Sequence, residues 1–540
     1  MMNRDRGSGI RGRLETDNRQ PATDNRVQGS RFEEIASSFI DRTIALVSPR
    51  SALMRKMYRE KLAGRSEMYA AAKTTRLTGA WSIANPNVND IIGLSSPAIR
   101  SRVRQLIRDF PYLARAANIM VDYTVGSGIM FQSKAKNTSG KLDKKIITKI
   151  EDAVKWWMDE ADISGKLHFN EIMRLTKRQD LETGEFVAVK TYSKTPGKYL
   201  PFALQLYEAD WLTGAHDSYG AGGIGMSANP GDKETRQGIE YEKQTGRVTG
   251  YWFMDPNYGG KEKFVSADQV IHGFDMLRPQ QLRGISSFAP GILVAHDLSD
   301  YMDAEIDAAK LAAKYLAFVK SPDPATRQTY LTTDATSAAG TAQKIEEMEN
   351  AIIEYLRPGE EVSIAEHNRP GATFAPFVRL VLTMLSITTG APYELISGDY
   401  QGLNFSTARI VRNDFSQQLR PIVARHIRQI GMPAVREAIN MAVLSGKLAL
   451  PGYWQNPQRY LECEWQAPGM EAIDPLREAK SQIEAISYGL KSPQEVARER
   501  GRDLEDIYNE IKAAKELAQD MGLAFDAANK PVKSNPAAIE

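Results

Sequence analysis

The sequence has 540 residues, 69 Lys+Arg against 67 Asp+Glu and 42% apolar residues, with a mean hydropathy of −0.40. These values describe an ordinary globular chain, exclude fibrous, collagenous and wholly disordered classes, and predict about three to five packing units. A single cysteine, Cys463, excludes an internal disulfide and a cysteine-based zinc site, so the chain fits a reducing compartment and takes its stability from packing.

The first twenty residues contain no apolar core of a leader peptide. The most hydrophobic stretch, Phe374 to Ile387, is interrupted by Arg379 and is too short to span a bilayer, so the expectation is a protein neither secreted nor membrane-inserted. The balanced total hides segregation. Residues 1–117 carry 21 Lys/Arg against 11 Asp/Glu, 118–370 carry 29 against 36, 371–450 carry 8 against 4, and 451–540 carry 11 against 16. A solvated surface produces such asymmetry most often, and an assembly that touches a polyanion in some places and avoids it in others produces it too.

In chain order, residues 1–30 are polar with almost no large apolar side chains and predict a disordered basic arm. Phe32 to Met68 has apolar residues at helical spacing, broken at Pro49, and predicts two helices. Pro97 predicts a helix start, with Ile99, Val103, Leu106 and Ile107 inward and Arg100, Arg102, Arg104 and Arg108 forming a basic face up to Phe110-Pro111. A second helix is expected over Tyr112 to Thr124. The turn Val125 to Gly128 then opens a strand-rich stretch: Ile129 to Gln132, Glu185 to Tyr192, Phe202 to Tyr207, Gly238 to Tyr241, Val248 to Met254 and Val270 to Phe274, with an intervening helix that carries Trp156 and Trp157. The runs Gly214 to Gly238 and Ser321 to Gln343 predict loops or hairpin tips.

Asp297 to Val319 predicts a helix about 33 Å long. Leu298, Tyr301, Ala304, Ala308, Leu311, Tyr315 and Phe318 form one stripe, and Asp297, Asp300, Asp303, Asp307, Lys310 and Lys314 another. Acids near its start and lysines near its end follow the helix dipole, which accounts for this order without any function. Phe374 to Thr389 is nearly all apolar, is expected to be largely buried against neighbours, and is stopped by Gly390-Ala391-Pro392. Ile396 to Phe405 predicts a polar loop. Ser406 would cap a following helix whose Arg409, Arg412, Arg420, Arg425 and Arg428 are able to meet phosphate. Residues 471–525 predict two or three charged amphipathic helices, one starting at Ser492-Pro493.

The catalytic motifs in the sequence are incomplete or absent. Gly220 to Gly225 matches GxGxxG but leads to Asn229-Pro230-Gly231 instead of a helix N-terminus that would hold a pyrophosphate. Val187 to Lys190 resembles a kinase strand lysine without the catalytic loop or DFG that kinases need. No GxxxxGK[ST], HExxH or GxSxG occurs, and the six histidines have no metal-ligand spacing. Asp300, Asp303, Glu305 and Asp307 read as a solvated helix face rather than a divalent-ion site.

Residues 178–186 (RQDLETGEF), 204–212 (LQLYEADWL), 238–253 (GIEYEKQTGRVTGYWF), 266–286 (SADQVIHGFDMLRPQQLRGIS), 356–362 (LRPGEEV) and 390–409 (GAPYELISGDYQGLNFSTAR) resemble, in this order, blocks of the lambda-type phage portal proteins. The resemblance runs from about Trp81 to Trp465. Asn404-Phe405-Ser406-Thr407 stands where the family commonly has an NYSS-like stretch, so a tyrosine hydroxyl is missing at Phe405.

The resemblance implies an α+β, mainly helical subunit, with an α/β wing, a two-helix stem, a small clip and a helical crown. About twelve copies would form a ring at one capsid vertex. Mapped onto this chain, residues 31–80 are N-terminal helices, 81–290 the wing, 291–319 and 374–390 the stem, 320–373 the clip, 391–406 the tunnel loop, 407–470 the tunnel helix and wing return, 471–530 the crown and 531–540 a tail. Implied partners are further copies of the chain, the terminase large subunit, the major capsid protein, a head-completion adaptor and double-stranded DNA held without sequence preference. No membrane, cofactor or catalysis is implied, and the expected place is the virion after assembly in the host cytoplasm. Packaging and ejection through a pore favour contacts to phosphate over base reading, which makes Lys310, Lys314, Asp399, Tyr400, Gln401, Asn404 and Arg409 the candidate channel residues, with acids on the stem helix keeping a sliding polyanion from sticking. For each, an ordinary surface or subunit contact stays open. The alternatives are another capsid or connector (adaptor) component of a tailed phage, and a DNA-processing enzyme, which would need a metal-bound carboxylate cluster.

Overall fold

A computed structural model describes residues 84–192, 198–218, 232–254, 260–314, 318–320, 361–363, 373–467, 469, 475–500, 502 and 504–521. The expected arm, the two helices of 31–80, the GxGxxG run and the loop Ser321 to Gln343 lie outside these residues, as do most of 320–373 and the tail 531–540. The unit that begins at Pro86 is the one described below.

Its elements begin with α1 (Val88–Asp109) and α2 (Pro111–Thr124). Helix α1 starts nine residues before the expected Pro97, which sits inside it; Asn87 caps the true start by accepting from the Asn89 amide. Burial overrides the poor helix formers of that first half. Asn89, Ile92 and Ser96 are buried, and Asn89 bonds the Gln280 carbonyl and the Leu282 amide across the chain. The basic face expected here is largely neutralised. Arg100 is buried against Glu185 and Asp210, and Arg104 pairs with Glu208 and Asp210.

Next come β1 (Met130–Ser133), α3 (Lys144–Asp159) and α4 (Phe169–Thr183), the last not expected from the sequence. His168 caps α4 through Nδ1, the Glu171 carboxylate returns to the His168 amide, and Gly184 ends the helix at a left-handed φ of 86° where a Cβ would collide with the Ile285 backbone.

Strands β2 (Glu185–Tyr192) and β3 (Phe202–Tyr207) follow, then β4 (Lys233–Arg236), β5 (Ile239–Glu242), β6 (Val248–Met254), β7 (Glu262–Ser266) and β8 (Val270–Phe274). β3-β2-β8 form one antiparallel sheet with Val187 opposite Tyr207 on one side and His272 on the other; β4-β5-β6-β7 form a second. β4 falls inside the run expected to be a loop.

Helix α5 (Ile292–Lys314) starts five residues earlier than expected and ends five earlier, because Phe318 to Lys320 form β9 and pair with β10 (Glu361–Ser363). α6 (Phe374–Thr389) has its expected bounds. The short α7 (Tyr393–Ser397) takes up part of the expected loop, and α8 (Phe405–His426) continues through a π-helical turn, Ile427–Gly431, into α9 (Met432–Leu444). α10 (Gln458–Leu461) leads to β11 (Cys463–Gln466), which pairs with β1 over Met130 opposite Gln466. α11 (Pro475–Ser487), α12 (Pro493–Glu499) and α13 (Leu504–Asp520) complete the described chain.

Three apolar clusters hold the unit. The first joins α3, α4, the three-stranded sheet and α9. Its Trp157 is fully buried, stacks on Phe202 at 5.5 Å and donates to the Phe202 carbonyl at 3.1 Å. The second joins α1 and α2 to the near ends of α5 and α6, to Ile396 and to Phe415 and Leu419 of α8. The third packs Ile239, Tyr251, Phe253 and Val265 of the small sheet on Val187 and Val189 of β2. The fold is thus α+β and mainly helical, and no helix among the described residues is long and apolar enough to cross a membrane.

Candidate nucleic-acid channel and subunit-contact elements

Helices α5 and α6 run antiparallel. The Gly291 end of α5 meets Thr388 at the end of α6, whereas Tyr301 meets Phe374 and Phe377 near the start of α6, with ring centroids 5.8 and 5.2 Å apart. Lys310 lies nineteen residues beyond Gly291, roughly 28 Å along the helix at 1.5 Å per residue. The candidate residues therefore fall into two groups: Lys310 and Lys314 at the far end of the pair, and Asp399 to Arg409 after its near end.

Lys310 is exposed and bonds Asp307 at 3.0 Å. Lys314 closes α5, and its side chain lies outside the described residues. Asp297, Asp300, Asp303 and Asp307 are exposed along α5, and His296 pairs with Asp300 at 3.2 Å.

The loop between α7 and α8 shrinks to Gly398 through Asn404. Gly398 and Gly402 adopt φ of 70° and 77°, a backbone that other residues resist. Asp399 organises it from within: Oδ1 accepts from the Gln401 amide at 3.0 Å and Oδ2 from the Tyr393 hydroxyl at 3.3 Å. The helix cap is Asn404, two residues before the expected Ser406, with Oδ1 accepting from the Thr407 amide at 2.8 Å and hydroxyl at 2.9 Å. That oxygen serves the helix, so Asn404 is first a structural residue. Tyr400, Gln401 and Arg409 are exposed, and Arg409 has no ion pair among the described residues. Arg425, expected to be available to phosphate, is instead engaged by Asp180 at 3.3 Å and by Asp275.

In the single chain α6 is buried on one side only. Val381, Leu382, Leu385 and Thr389 are buried, but Phe377, Leu380, Met384 and Ile387 form an exposed stripe on the other side, Ile387 being 79% exposed. Leu293 and Ile306 of α5 and Ile410 of α8 are exposed as well. A contiguous apolar face of this kind marks an association surface.

A buried charge cluster not anticipated from the sequence lies where three of the resembling blocks meet. Glu185 is fully buried. Arg283 reaches both of its carboxylate oxygens with Nε at 2.9 Å and Oε1 with Nη2 at 2.5 Å; His272 Nε2 lies 3.1 Å away and the Gly284 amide donates at 3.0 Å. Arg283 also donates to the carbonyls of Ala209 and Gln237 at 2.9 Å, tying the two sheets together. Burial alone would raise the Glu185 pKa, but the Arg283 guanidinium and the His272 hydrogen bond hold the carboxyl far below the usual carboxylate range. The available signal was an acid opening an otherwise apolar strand. Elsewhere, burial beside Lys177 pushes the His426 imidazole down to about 4.

No group of acidic, His or Cys residues among the described residues is placed to hold a metal ion. A family model described as phage portal protein, lambda family, matches residues 74–422. The chain belongs to this family. It is 25% identical over 466 residues to a probable portal protein of Halomonas phage phiHAP-1, covering 82% of this chain and 85% of the relative. It is 20% identical over 471 residues to portal protein B of Escherichia phage lambda, covering 79% and 85%. Among solved structures, it is similar to a chain in the neck of an empty gene transfer agent (GTA) particle, with a TM-score of 0.43 and 14% identity over 79% of this chain and 97% of that one. The function is that of a phage portal, a structural component of the virion and not an enzyme.

Proposed function

We propose that about twelve copies close into a ring at one capsid vertex, forming the channel through which a terminase packages double-stranded DNA and through which the DNA later leaves. The observation that carries this reading is the exposed stripe Phe377, Leu380, Met384 and Ile387 on a helix whose opposite side is already buried in its own chain. Two-sided burial is what a helix in a closed ring needs. In this arrangement 81–290 is the wing, α5 and α6 the stem, 320–373 the clip that a terminase large subunit and later an adaptor would engage, and 471–530 the crown; the major capsid protein surrounds the ring. The acids of α5 repel phosphate and lower friction, while Lys310 and Lys314 at one level and Tyr400, Gln401 and Arg409 at another supply nonspecific contacts. Asp399 and Asn404 shape the loop that carries the second group.

Replacing residues 399–403 by two glycines tests the channel assignment. Rings should still form, and DNA packaging or retention should fall. Loss of ring formation would show that the loop is an interface element instead.

A further inference from the structure

Helix α13 carries Leu504, Ile507, Ile511, Ala514, Ala518 and, just past its end, Met521, a strict alternation of three and four that sets one heptad face. Within the chain only Ala518 of this face is buried; Ile511 is 44% and Met521 67% exposed. Tyr508 on one flank and Leu517 on the other are also exposed, so the apolar surface is wider than a two-helix seam. Glu510 and Lys515 border the face on opposite flanks, five residues apart, the spacing at which neighbouring parallel helices pair acid to base. Antiparallel neighbours would set Glu510 against Glu510. In its own chain Glu510 meets the exposed Arg502, and Lys515 has no ion pair among the described residues.

We propose that α13 packs in parallel against the α13 of adjacent copies, making a helical collar in which Glu510 of one copy meets Lys515 of the next. The occupant is a second copy of this chain because the charge pattern is self-complementary only in parallel, and rotation about a ring axis keeps equivalent helices parallel. The two apolar flanks give each helix a neighbour on either side. The inference rests on the ring reading above.

Full-length protein carrying Cys463→Ser, which removes its single cysteine, provides the background. Ala514→Cys places a thiol on the heptad face and Ala513→Cys one on the opposite face; both positions are exposed. With a short thiol cross-linker, Ala514→Cys particles should shift from monomer to multiples of the chain mass on a denaturing gel, and Ala513→Cys particles should stay monomeric. Glu510→Lys should lower the Ala514→Cys yield, and adding Lys515→Glu should restore it. Rings in electron micrographs with equal linking at 513 and 514, or with no rescue by the charge swap, overturn the collar and leave the ring standing. A parent protein that forms no ring overturns both.

Discussion

The Glu185 cluster and the α6 stripe are opposite solutions to placing side chains on a fold. Around Glu185 every charge is matched inside one chain by Arg283, His272, Arg100 and a backbone amide. On α6, Met384 and Ile387 are left without cover. The first region is satisfied within one chain; the second leaves apolar surface exposed. Variants in the first should thus act on folding, and variants in the second on association.

The largest effect on folding is expected from Arg283→Met, which strands a buried carboxylate. Its cost is about 3–5 kcal/mol, read from the urea midpoint at fixed protein concentration. A loss below 1 kcal/mol would show that Glu185 is hydrated or protonated after all. Next is the pH dependence of His426. Between pH 6.5 and about 4 the unfolded chain binds a proton that the folded chain refuses, so stability should fall by about 3 kcal/mol as pH is lowered through that window. His426→Gln should flatten that part of the curve. Asn404→Ala removes a helix cap and should cost about 1 kcal/mol, without loss of rings. Smallest for folding is Ile387→Asp, expected within about 0.5 kcal/mol because the site is exposed. The same variant should abolish or severely reduce ring formation by size-exclusion chromatography. An Ile387→Asp protein that assembles normally would show that the stripe faces solvent in the assembly too.

Much of the body was legible in the sequence. β2, β3, β6 and β8 carry alternating or continuous apolar residues and fall where the pattern put them. β4 and β7 were not legible, since Lys233 to Arg236 and Glu262 to Ser266 are polar strands at the two edges of their sheet. α4 was hidden because its cap is a histidine and its core side mixes Lys177 and Asp180 with Ile172 and Met173. α6 has its expected ends, and its own chain covers only one side of it, because composition reports how much a helix must bury and not what supplies the cover. The candidate site was legible as elements and less so as contacts. Tyr400, Gln401 and Arg409 are exposed, while Asn404 and Arg425 turn out to be engaged by Thr407 and by two aspartates.

End-on electron microscopy of the purified full-length protein tests the central claim most directly. Class averages should show a closed ring of about twelve units around an open centre of roughly 20 Å or more, wide enough for a DNA duplex. Particles that are solid at the centre, or a protein that stays monomeric at high concentration, would contradict the account.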